Sequence, residues 1–450
     1  MKNRHVSIER MRGLPGMHSS PVTILENESA IGGKEMETAM SSQTWNGVQS
    51  LLDNYLKVQA DDHVVVLYTS DSSDPAAWVS AALDLRGIRA KRVWMAPLRD
   101  EGFLERLKAA LPPPAEVEGR LLVLGLERHS MSHTEALGSA ISKYKNSRVL
   151  RAISACSDLF STALSVTPEE LTARNVAILE RLMNAKRLRI TTESGSDVSI
   201  TLDAKHRWIS NRGMARPGGV VILPAGEVAT FPASVDGKFV ADFAFNANVI
   251  TTRDSRLHNH PVTLWIEDGR VVKYECADAS MRRFLENCFY THCAYNVGEL
   301  GFGTNFAVTD AISMNSHINE RRPGVHLGLG MHNQDPAVVG YQCSIHLDLI
   351  ARGGLVWIDD DEVPLDMERI VPSSHSHPTT SRDEDVFSPD LEDLEVDDCC
   401  GILTNDGELK LFSEPGVFVE GSPDGPSCKT KEASKEASAP EPVAAVLSAS

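Results

Sequence analysis

Residues 63–68, His-Val-Val-Val-Leu-Tyr, are the apolar stretch that decides the fold of the first half of the chain. A short run of aliphatic and β-branched residues predicts a strand that is buried on both faces. An amphipathic helix is predicted next, opened by Asp74-Pro75-Ala76-Ala77-Trp78, with Pro75 at a favoured first-turn position. Further strands are predicted at residues 92–95, 121–125 and 148–150, with helical stretches between them. This alternation indicates a parallel sheet.

The pattern changes after residue 187. A helix with a capping box is predicted to begin at Thr167-Pro168-Glu169-Glu170 and to end near Lys186. Residues 187–192 and 197–202 then alternate apolar and polar side chains around a turn, and residues 263–266 and 271–274 do the same, which predicts two β-hairpins. The predicted fold class is α/β, with an N-terminal parallel-sheet α/β domain followed by a mixed, mainly antiparallel α+β domain.

Four segments are predicted along the chain. Residues 1–45 are expected to form a mobile leader, 46–187 the α/β domain, 188–370 the α+β domain with the site, and 371–450 an acidic, largely disordered tail. Within that tail, Gly401-Ile402-Leu403 and residues 409–412 have the pattern of a small hairpin, while His375 and His377 are expected to have no role.

The composition excludes several classes of protein. A formal net charge of -18 over 450 residues argues against a nucleic-acid binder and against docking on anionic lipid. No apolar run approaches the ~20 residues of a membrane span, and the N-terminus lacks the apolar core of a signal peptide. We therefore expect a soluble, cytoplasmic protein. Its thiols, among them Cys276, Cys288, Cys293 and Cys343, are expected to be reduced.

His346-Leu347-Asp348 is the clearest candidate for chemistry. In a strand, residues two apart point to the same face, so His346 and Asp348 would lie side by side. An imidazole beside a carboxylate on a rigid strand is a good half-site for a divalent metal. The alternative is a hydrogen-bonded histidine–aspartate pair without a metal.

Three more residues favour the metal interpretation, because each lies in a glycine-rich apolar segment where an unpaired polar group is costly: Glu227, Glu299 and His326. Oxygen and nitrogen ligands without thiolates suit Zn, Mn, Co or Fe(II). Three acids and two histidines exceed the needs of one catalytic metal, and two metals that share bridging carboxylates would use them all.

The order of these motifs resembles a known family. Leu-Pro-x-Gly-Glu-Val, Gly-Glu-Leu-Gly, His-Leu-Gly-Leu-Gly and His-Leu-Asp follow each other as in the thermophilic metalloprotease family of dinuclear aminopeptidases. The resemblance spans residues 50 to 365 and implies a homodimer acting on a peptide or small amide. The metal ligands that it implies are Glu227, Glu299, His326, His346 and Asp348. The chain departs from the family at two positions: Arg321 stands where a bridging glutamate is expected, with Glu320 one residue away, and Asn333 replaces a catalytic tyrosine.

The chain also resembles 2,5-dihydroxypyridine dioxygenase, a relative of that family with the same fold and one Fe(II) that cleaves an aromatic ring. The segments concerned are residues 193–197, 264–269 and 346–348. In that enzyme a histidine completes the iron triad where this chain has Glu299. The substitution favours the hydrolase.

Three functions remain open from the sequence. The first is a metallohydrolase of aminopeptidase type, in which Glu299 or Glu320 moves the proton of a metal-bridging water and His332 or Tyr341 replaces the missing tyrosine. The second is an Fe(II) oxygenase that acts on an aromatic substrate through His346, Asp348 and either Glu299 or His326. The third is a protein that keeps the fold, has lost catalysis and binds a peptide or partner.

Overall fold

The computed structural model describes residues 40–129, 131–214, 219–378, 400–414 and 417–418. Most of the predicted mobile leader, and residues 379–399, 415–416 and 419–450 of the predicted tail, lie outside these described residues. The helices in the described part are α1 (Ser42–Ser50), α2 (Ser73–Leu85), α3 (Phe103–Ala110), α4 (Thr134–Ile141), α5 (Ser157–Ser161), α6 (Pro168–Leu182), α7 (Ala279–Phe289), α8 (His317–Glu320) and α9 (Pro336–Val339).

The strands of the described residues fall into four sheets. In chain order they are β1 (His63–Tyr68), β2 (Lys91–Trp94), β3 (Leu121–Leu126), β4 (Ser147–Ala152), β5 (Arg187–Thr191), β6 (Asp197–Thr201), β7 (Trp208–Asn211), β8 (Val220–Leu223), β9 (Glu227–Thr230), β10 (Ser234–Ala241), β11 (Ala244–Ala247), β12 (Val249–Thr251), β13 (Val262–Glu267), β14 (Arg270–Cys276), β15 (Val297–Gly303), β16 (Gly324–Gly330), β17 (His346–Ile350), β18 (Leu355–Ile358), β19 (Leu365–Asp366), β20 (Gly401–Leu403), β21 (Leu409–Glu414) and β22 (Val417–Phe418).

The first sheet is parallel, in the order β2-β1-β3-β4-β8. Alternate residues of β1 supply two separate cores: Val64 and Val66 pack on the side of α2, whereas Val65 and Leu67 pack on the side of α3 and α4. Both faces of the sheet are therefore covered, as the sequence of β1 predicts. Its fifth strand, β8, comes from beyond the predicted boundary at residue 187 and returns to pair with β4.

Two larger sheets make up most of the second half of the chain. One has the order β14-β13-β10-β6-β5-β18-β19 and the other β11-β17-β16-β15-β9-β7, and all of their pairings are antiparallel. Their facing sides share one hydrophobic core with α6 and α7. The predicted α/β class, with a parallel sheet followed by a mainly antiparallel part, is confirmed.

Local sequence signals account for several of these elements. Thr167 and Glu170 form the predicted capping box, with Glu170 N donating to Thr167 Oγ1 at 3.2 Å and Thr167 N donating to Glu170 Oε2 at 2.9 Å. The two predicted hairpins are present as β5–β6 and β13–β14. Each of these signals involves residues close in sequence, which is why it is readable without a structure.

The described parts of the predicted tail differ from the expectation of disorder. The predicted small hairpin is confirmed, since β20 pairs antiparallel with β21, and β20 also pairs parallel with β12. Upstream, His375 Nδ1 lies 2.5 Å from Glu180 Oε1, and His377 Nε2 lies 2.9 Å from Ser210 Oγ. These segments are held by apolar and polar contacts with distant residues that composition alone does not reveal.

The expectation of reduced thiols is wrong for one pair of cysteines. Cys293 and Cys343 form a disulfide, with Cα atoms 5.6 Å apart and a sequence separation of 50. Their proximity follows from the packing of the turn at His292–Tyr295 beside the residues that precede β17, a non-local contact. Over the described residues, none of the helices combines the length and the apolar character that crossing a membrane requires.

Replacement of a residue in the small hairpin tests whether this part of the tail is structural. Leu403 is 2% exposed and packs in the core of the antiparallel sheets. We expect Leu403→Ala to lower the free energy of unfolding by about 2–4 kcal/mol, because it leaves a cavity. Leu85 is 79% exposed, and the matched change Leu85→Ala should stay within about 0.5 kcal/mol. Urea denaturation measures both; equal stability of the two variants would contradict the packing.

Candidate metal centre

The five predicted ligands lie on neighbouring strands of one antiparallel sheet. They are Glu227 on β9, Glu299 on β15, His326 on β16, and His346 and Asp348 on β17. In an antiparallel ladder, directly paired residues point to the same face. The register of β9, β15, β16 and β17 therefore gathers side chains that are as many as 121 positions apart in the sequence onto a single surface.

Glycines between the ligands provide the space that the cluster needs. Gly301 pairs with His326, and a Cβ on it would lie 1.9 Å from His326 Nε2. Gly328 pairs with both Glu299 and Asp348, and a Cβ on it would lie 2.9 Å from Glu299 Cβ and 3.0 Å from Asp348 Oδ1. The Gly-Glu-Leu-Gly and Gly-Leu-Gly segments thus owe their glycines to close approach by neighbouring ligands.

The opposite face of β15, β16 and β17 is apolar. Its side chains are fully buried in the shared core: Leu300, Phe302, Leu327, Leu329, Leu347 and Leu349. Strand alternation places these residues and the ligands on opposite sides of the sheet. A shift of register by one residue would put carboxylates into the core, so the core fixes the position of the ligands.

The polar atoms of the five residues converge. His326 Nε2 lies 2.9 Å from Glu227 Oε1 and 3.5 Å from Glu299 Oε1. His346 Nε2 lies 3.2 Å from Asp348 Oδ1. Two overlapping groups have potential ligand atoms within 4.8 Å of one another, namely Glu227, Glu299 and His326, and Glu299, His346 and Asp348. Glu299 belongs to both.

The donor set fits a divalent cation. Although they lie close together, Glu227 Oε1, His326 Nε2 and Asp348 Oδ1 are buried and make no hydrogen bond of acceptable geometry within the described part of the chain. Buried polar atoms are ordinarily hydrogen-bonded, so such atoms call for a partner. Converging carboxylate oxygen and imidazole nitrogen atoms are the kind of ligand set that Zn, Mn, Co or Fe(II) takes.

An arginine already occupies one side of the cluster. Arg321 Nη1 lies 2.5 Å from Glu227 Oε2 and 2.8 Å from Glu320 Oε1, and its Nε donates to Pro224 O at 2.9 Å. Burial lowers the pKa of Arg321, but Glu227 and Glu320 outweigh burial and raise it. The residue that replaces the expected bridging glutamate is therefore a buried, charged guanidinium between two carboxylates.

Glu320, predicted as a catalytic residue, is held by further contacts. Its Oε1 lies 2.8 Å from His317 Nδ1, and its Oε2 accepts from Asn246 Nδ2 at 2.9 Å. The same amide nitrogen lies 3.2 Å from Asp348 Oδ2. Asn246, which the sequence did not single out, thus links Glu320 to a candidate ligand. Its position opposite Asp348 in the β11–β17 register explains this contact.

The residues 331–345 carry the other predicted catalytic groups. Asn333, in place of the expected tyrosine, donates from Nδ2 to Glu299 Oε2 at 3.1 Å and so orients a candidate ligand. His332 Nε2 lies 2.7 Å from Tyr341 O, and the His332 ring packs against Phe231 and Tyr341 with centroids 5.7 and 4.8 Å away. His332 therefore belongs to an aromatic group, and its predicted role in proton transfer remains a prediction.

Charges in the cluster displace several pKa values. Burial opposes protonation of His346, but Asp348 and Glu299 outweigh it and raise the pKa to about 10. Burial raises the pKa of Asp348 to about 6, with Glu320 adding to the rise and His346 opposing it. For His326, burial is again outweighed, by Glu227 and Glu299, and the pKa lies well above its usual value. Without a metal, the site holds protons that a cation must displace.

These observations define a buried carboxylate–histidine centre on an antiparallel sheet, in a chain that also carries a parallel α/β sheet. Residues 54–367 match the NicX family, 2,5-dihydroxypyridine 5,6-dioxygenase, and the chain belongs to that family. No curated protein matches the sequence.

The solved structures that match this chain include a dioxygenase and a second protein. The 2,5-dihydroxypyridine dioxygenase of Pseudomonas putida KT2440 matches with a TM-score of 0.52 and 17% identity, over 74% of this chain and 99% of that chain. Wild-type AmpT from Thermus thermophilus matches with a TM-score of 0.46 and 15% identity, over 73% and 99% respectively. The predicted relationship to the dioxygenase is confirmed, whereas the aminopeptidase assignment stays a prediction.

Substitution of Gly328 tests whether the candidate ligands need the space beside this glycine in order to bind a metal. Gly328→Ala places a methyl group against Glu299, Asp348 and His346 Cε1, which lies 3.2 Å from the added Cβ. We expect the affinity for Co(II) to fall about 10-fold or more, as when ligand-orienting contacts are lost. Gly138 on α4 has nothing within 4 Å of an added Cβ, so Gly138→Ala should leave the affinity unchanged. A Co(II) titration followed by absorbance compares the affinities of the two variants. Equal affinities would contradict the close packing of the candidate ligands around Gly328.

Metal binding should release protons. The pKa of His346 is about 10 in the metal-free protein, so at pH 8 its imidazole is protonated and must lose that proton to bind a cation. Protonated His346 stabilises the metal-free fold below pH 6.5, and this contribution is lost as the pH rises through about 10. We expect at least one proton released per metal at pH 8. Calorimetry in two buffers of different ionisation enthalpy measures it; no release would contradict the raised pKa.

Proposed function

We propose that the chain is a ring-cleaving dioxygenase that uses one Fe(II) and acts on a dihydroxylated nitrogen heteroaromatic ring. Family membership supports the reaction class. The position of Arg321 between Glu227 and Glu320 is the observation that supports the binding of one metal ion rather than two. The ligands that we assign are Glu299, His346 and Asp348, one of the two converging groups.

Arg321 disfavours a second divalent ion on electrostatic grounds. A second ion would use Glu227 and His326, and Glu227 is the carboxylate that Arg321 contacts at 2.5 Å. Two unit charges about 4 Å apart interact by roughly 4 kcal/mol at the effective dielectric of a protein, and a divalent ion doubles this repulsion. The guanidinium therefore supplies the positive charge that a second metal would otherwise provide.

Exposure indicates the side from which a substrate reaches the metal. The side chains of His346 and Glu299 are 17% and 12% exposed, whereas those of Asp348 and His326 are each 1% exposed. Fe(II) held by histidine and carboxylate ligands supplies open coordination positions for dioxygen chemistry. Because Glu299 and His346 are the more exposed of these side chains, we expect an aromatic diol to enter at their edge.

Amide side chains hold the two carboxylate ligands in place. Asn333 donates to Glu299 Oε2 at 3.1 Å, and Asn246 Nδ2 lies 3.2 Å from Asp348 Oδ2. Each contact occupies one carboxylate oxygen and leaves the other, Glu299 Oε1 or Asp348 Oδ1, directed at the centre. Such contacts fix the orientation of ligands and raise metal affinity.

The two-metal aminopeptidase is the second candidate, because two converging groups share Glu299. Metal stoichiometry separates the candidates. We expect wild-type protein to bind one Fe(II) or Co(II) per chain and, loaded anaerobically with Fe(II), to consume dioxygen with 2,5-dihydroxypyridine. Two equivalents together with release of an N-terminal residue from a peptide would instead establish the aminopeptidase. Neither metal nor turnover would leave a binding protein.

The same titration tests Arg321 directly. Arg321→Met removes the guanidinium between Glu227 and Glu320, so Co(II) binding should rise from one to two equivalents. Arg322 is the matched control, since it pairs at 2.7 Å with Glu368, whose side chain is 54% exposed, away from the ligands. Arg322→Met should keep one equivalent. Two equivalents in the wild type, or one in Arg321→Met, would contradict the role assigned to the guanidinium.

A further inference from the structure

The hairpin formed by β20 and β21, called the C-terminal hairpin below, lies outside the residues that match the family. The match ends at residue 367, whereas the hairpin begins at Gly401. It nevertheless extends the fold, because β20 pairs in parallel with β12 through Val249–Gly401 and two further residue pairs. The chain thus adds a structural element next to the strand that follows β11.

Asn248 connects this hairpin to the centre. Cys400, the residue before β20, donates its backbone N–H to Asn248 O at 2.7 Å, and its Sγ lies 3.2 Å from Asn248 Oδ1. On the other side, Asn248 Oδ1 accepts from the backbone N–H of His346 at 2.9 Å, and Asn248 N donates to His346 O at 3.1 Å. Its Nδ2 also donates to Ser344 O at 2.9 Å.

His346 needs such support because it stands at the end of its strand. The β11–β17 pairing ends with Ala247 opposite Leu347, so on that side His346 lies one residue beyond the ladder. Asn248, directly after β11, supplies both hydrogen bonds that the ladder would have given. Its main chain and its side chain together fix the backbone of a candidate ligand.

The far end of the C-terminal hairpin is anchored to the body. Arg283 on α7 pairs with Asp406 at 2.9 Å, and Asn287 on the same helix donates to Gly407 O at 3.0 Å. Arg253 Nη1 donates to Asn405 O at 3.0 Å. Together with the burial of Leu403, these contacts make the hairpin a fixed support.

We propose that the C-terminal hairpin positions the metal ligand His346 through Asn248. The proposal rests on the proposed function for the role of His346 as a ligand. Asn248 is a positioning residue, since it touches the ligand's backbone and none of the atoms that would bind the metal. The link has two parts in series, Cys400 N–H to Asn248 O and Asn248 to His346, so breaking either part should have the same effect.

Two variants break the two parts separately. Cys400→Pro removes the backbone N–H that donates a hydrogen bond to Asn248 O. Asn248→Ala removes the side chain that accepts a hydrogen bond from His346 N and donates one to Ser344 O. We expect each to raise the Kd for Co(II) about 10-fold, the usual effect of losing a contact that orients a ligand. The double variant should be no weaker than the worse single variant, because the changes act through one link.

Amide hydrogen exchange of the metal-free full chain gives a readout that is independent of metal and turnover. Exchange at residues 344–350 should become faster in both variants, while exchange in the parallel sheet stays as in the wild type. Lys410→Ala is the matched control, because Lys410 is an exposed residue of β21 and the change leaves Cys400, Asn248 and the anchors of the hairpin intact. That variant should keep the Kd within two-fold.

The possible results distinguish a hairpin that positions His346 from one that only stabilises the fold. A fall in Tm with unchanged Kd and unchanged exchange at His346 would show that the hairpin only stabilises the fold, and would overturn the proposal. Additive effects in the double variant would also overturn it. If Cys400→Pro does not fold, Asn248→Ala decides by the same two measurements. If wild-type protein binds no Co(II), the proposed function fails, and the exchange experiment alone decides whether the hairpin holds His346.

Discussion

The burial of several carboxylates against one face of one sheet is the constraint on which the second half of this protein depends. Glu227, Glu320 and Asp348 are each at most 5% exposed. Like charges so close together in a protein interior repel strongly unless cations lie between them. Arg321 meets this need on one side, and His326 and His346 meet it on the other. The glycines between the candidate ligands, the hydrogen bonds from asparagine side chains to the carboxylates and the raised pKa values of the two histidines are all consequences of keeping that charge buried.

The residue types in a ligand set do not by themselves determine how many metal ions the site binds. Three acids and two histidines led the sequence interpretation towards two metals and hydrolysis. The same residues in the structure share their site with a guanidinium, which changes the balance of charge without changing any ligand. Family membership points towards the dioxygenase. In the proposed function, the position of Arg321 beside the candidate ligands thus bears as much on the chemistry as the candidate ligands do.

Local patterns made much of the fold predictable. The strand at 63–68, the capped helix at Thr167, both hairpins and the β20–β21 pair depend on residues near one another in sequence, and their periodicity is visible directly. The five candidate ligands were found because each polar residue interrupts an apolar, glycine-rich segment. Asn246, Asn248 and the Cys293–Cys343 disulfide were missed, since their partners lie 50 or more residues away. The strand register brings the two asparagines to their partners, and the packing of the turn at His292–Tyr295 brings the two cysteines together.

The short connection between β8 and β9 has a consequence for how this chain can be divided. β8 is an edge strand of the parallel sheet, and after three intervening residues β9 begins with Glu227 in the antiparallel sheet. A recombinant exchange made at residue 187 would build the parallel sheet from two parents, with β1 to β4 from one and β8 from the other. The smallest part of the first half that could be exchanged as a unit therefore extends through β8. A hinge in the connection between β8 and β9 would lie directly beside Glu227, a candidate ligand.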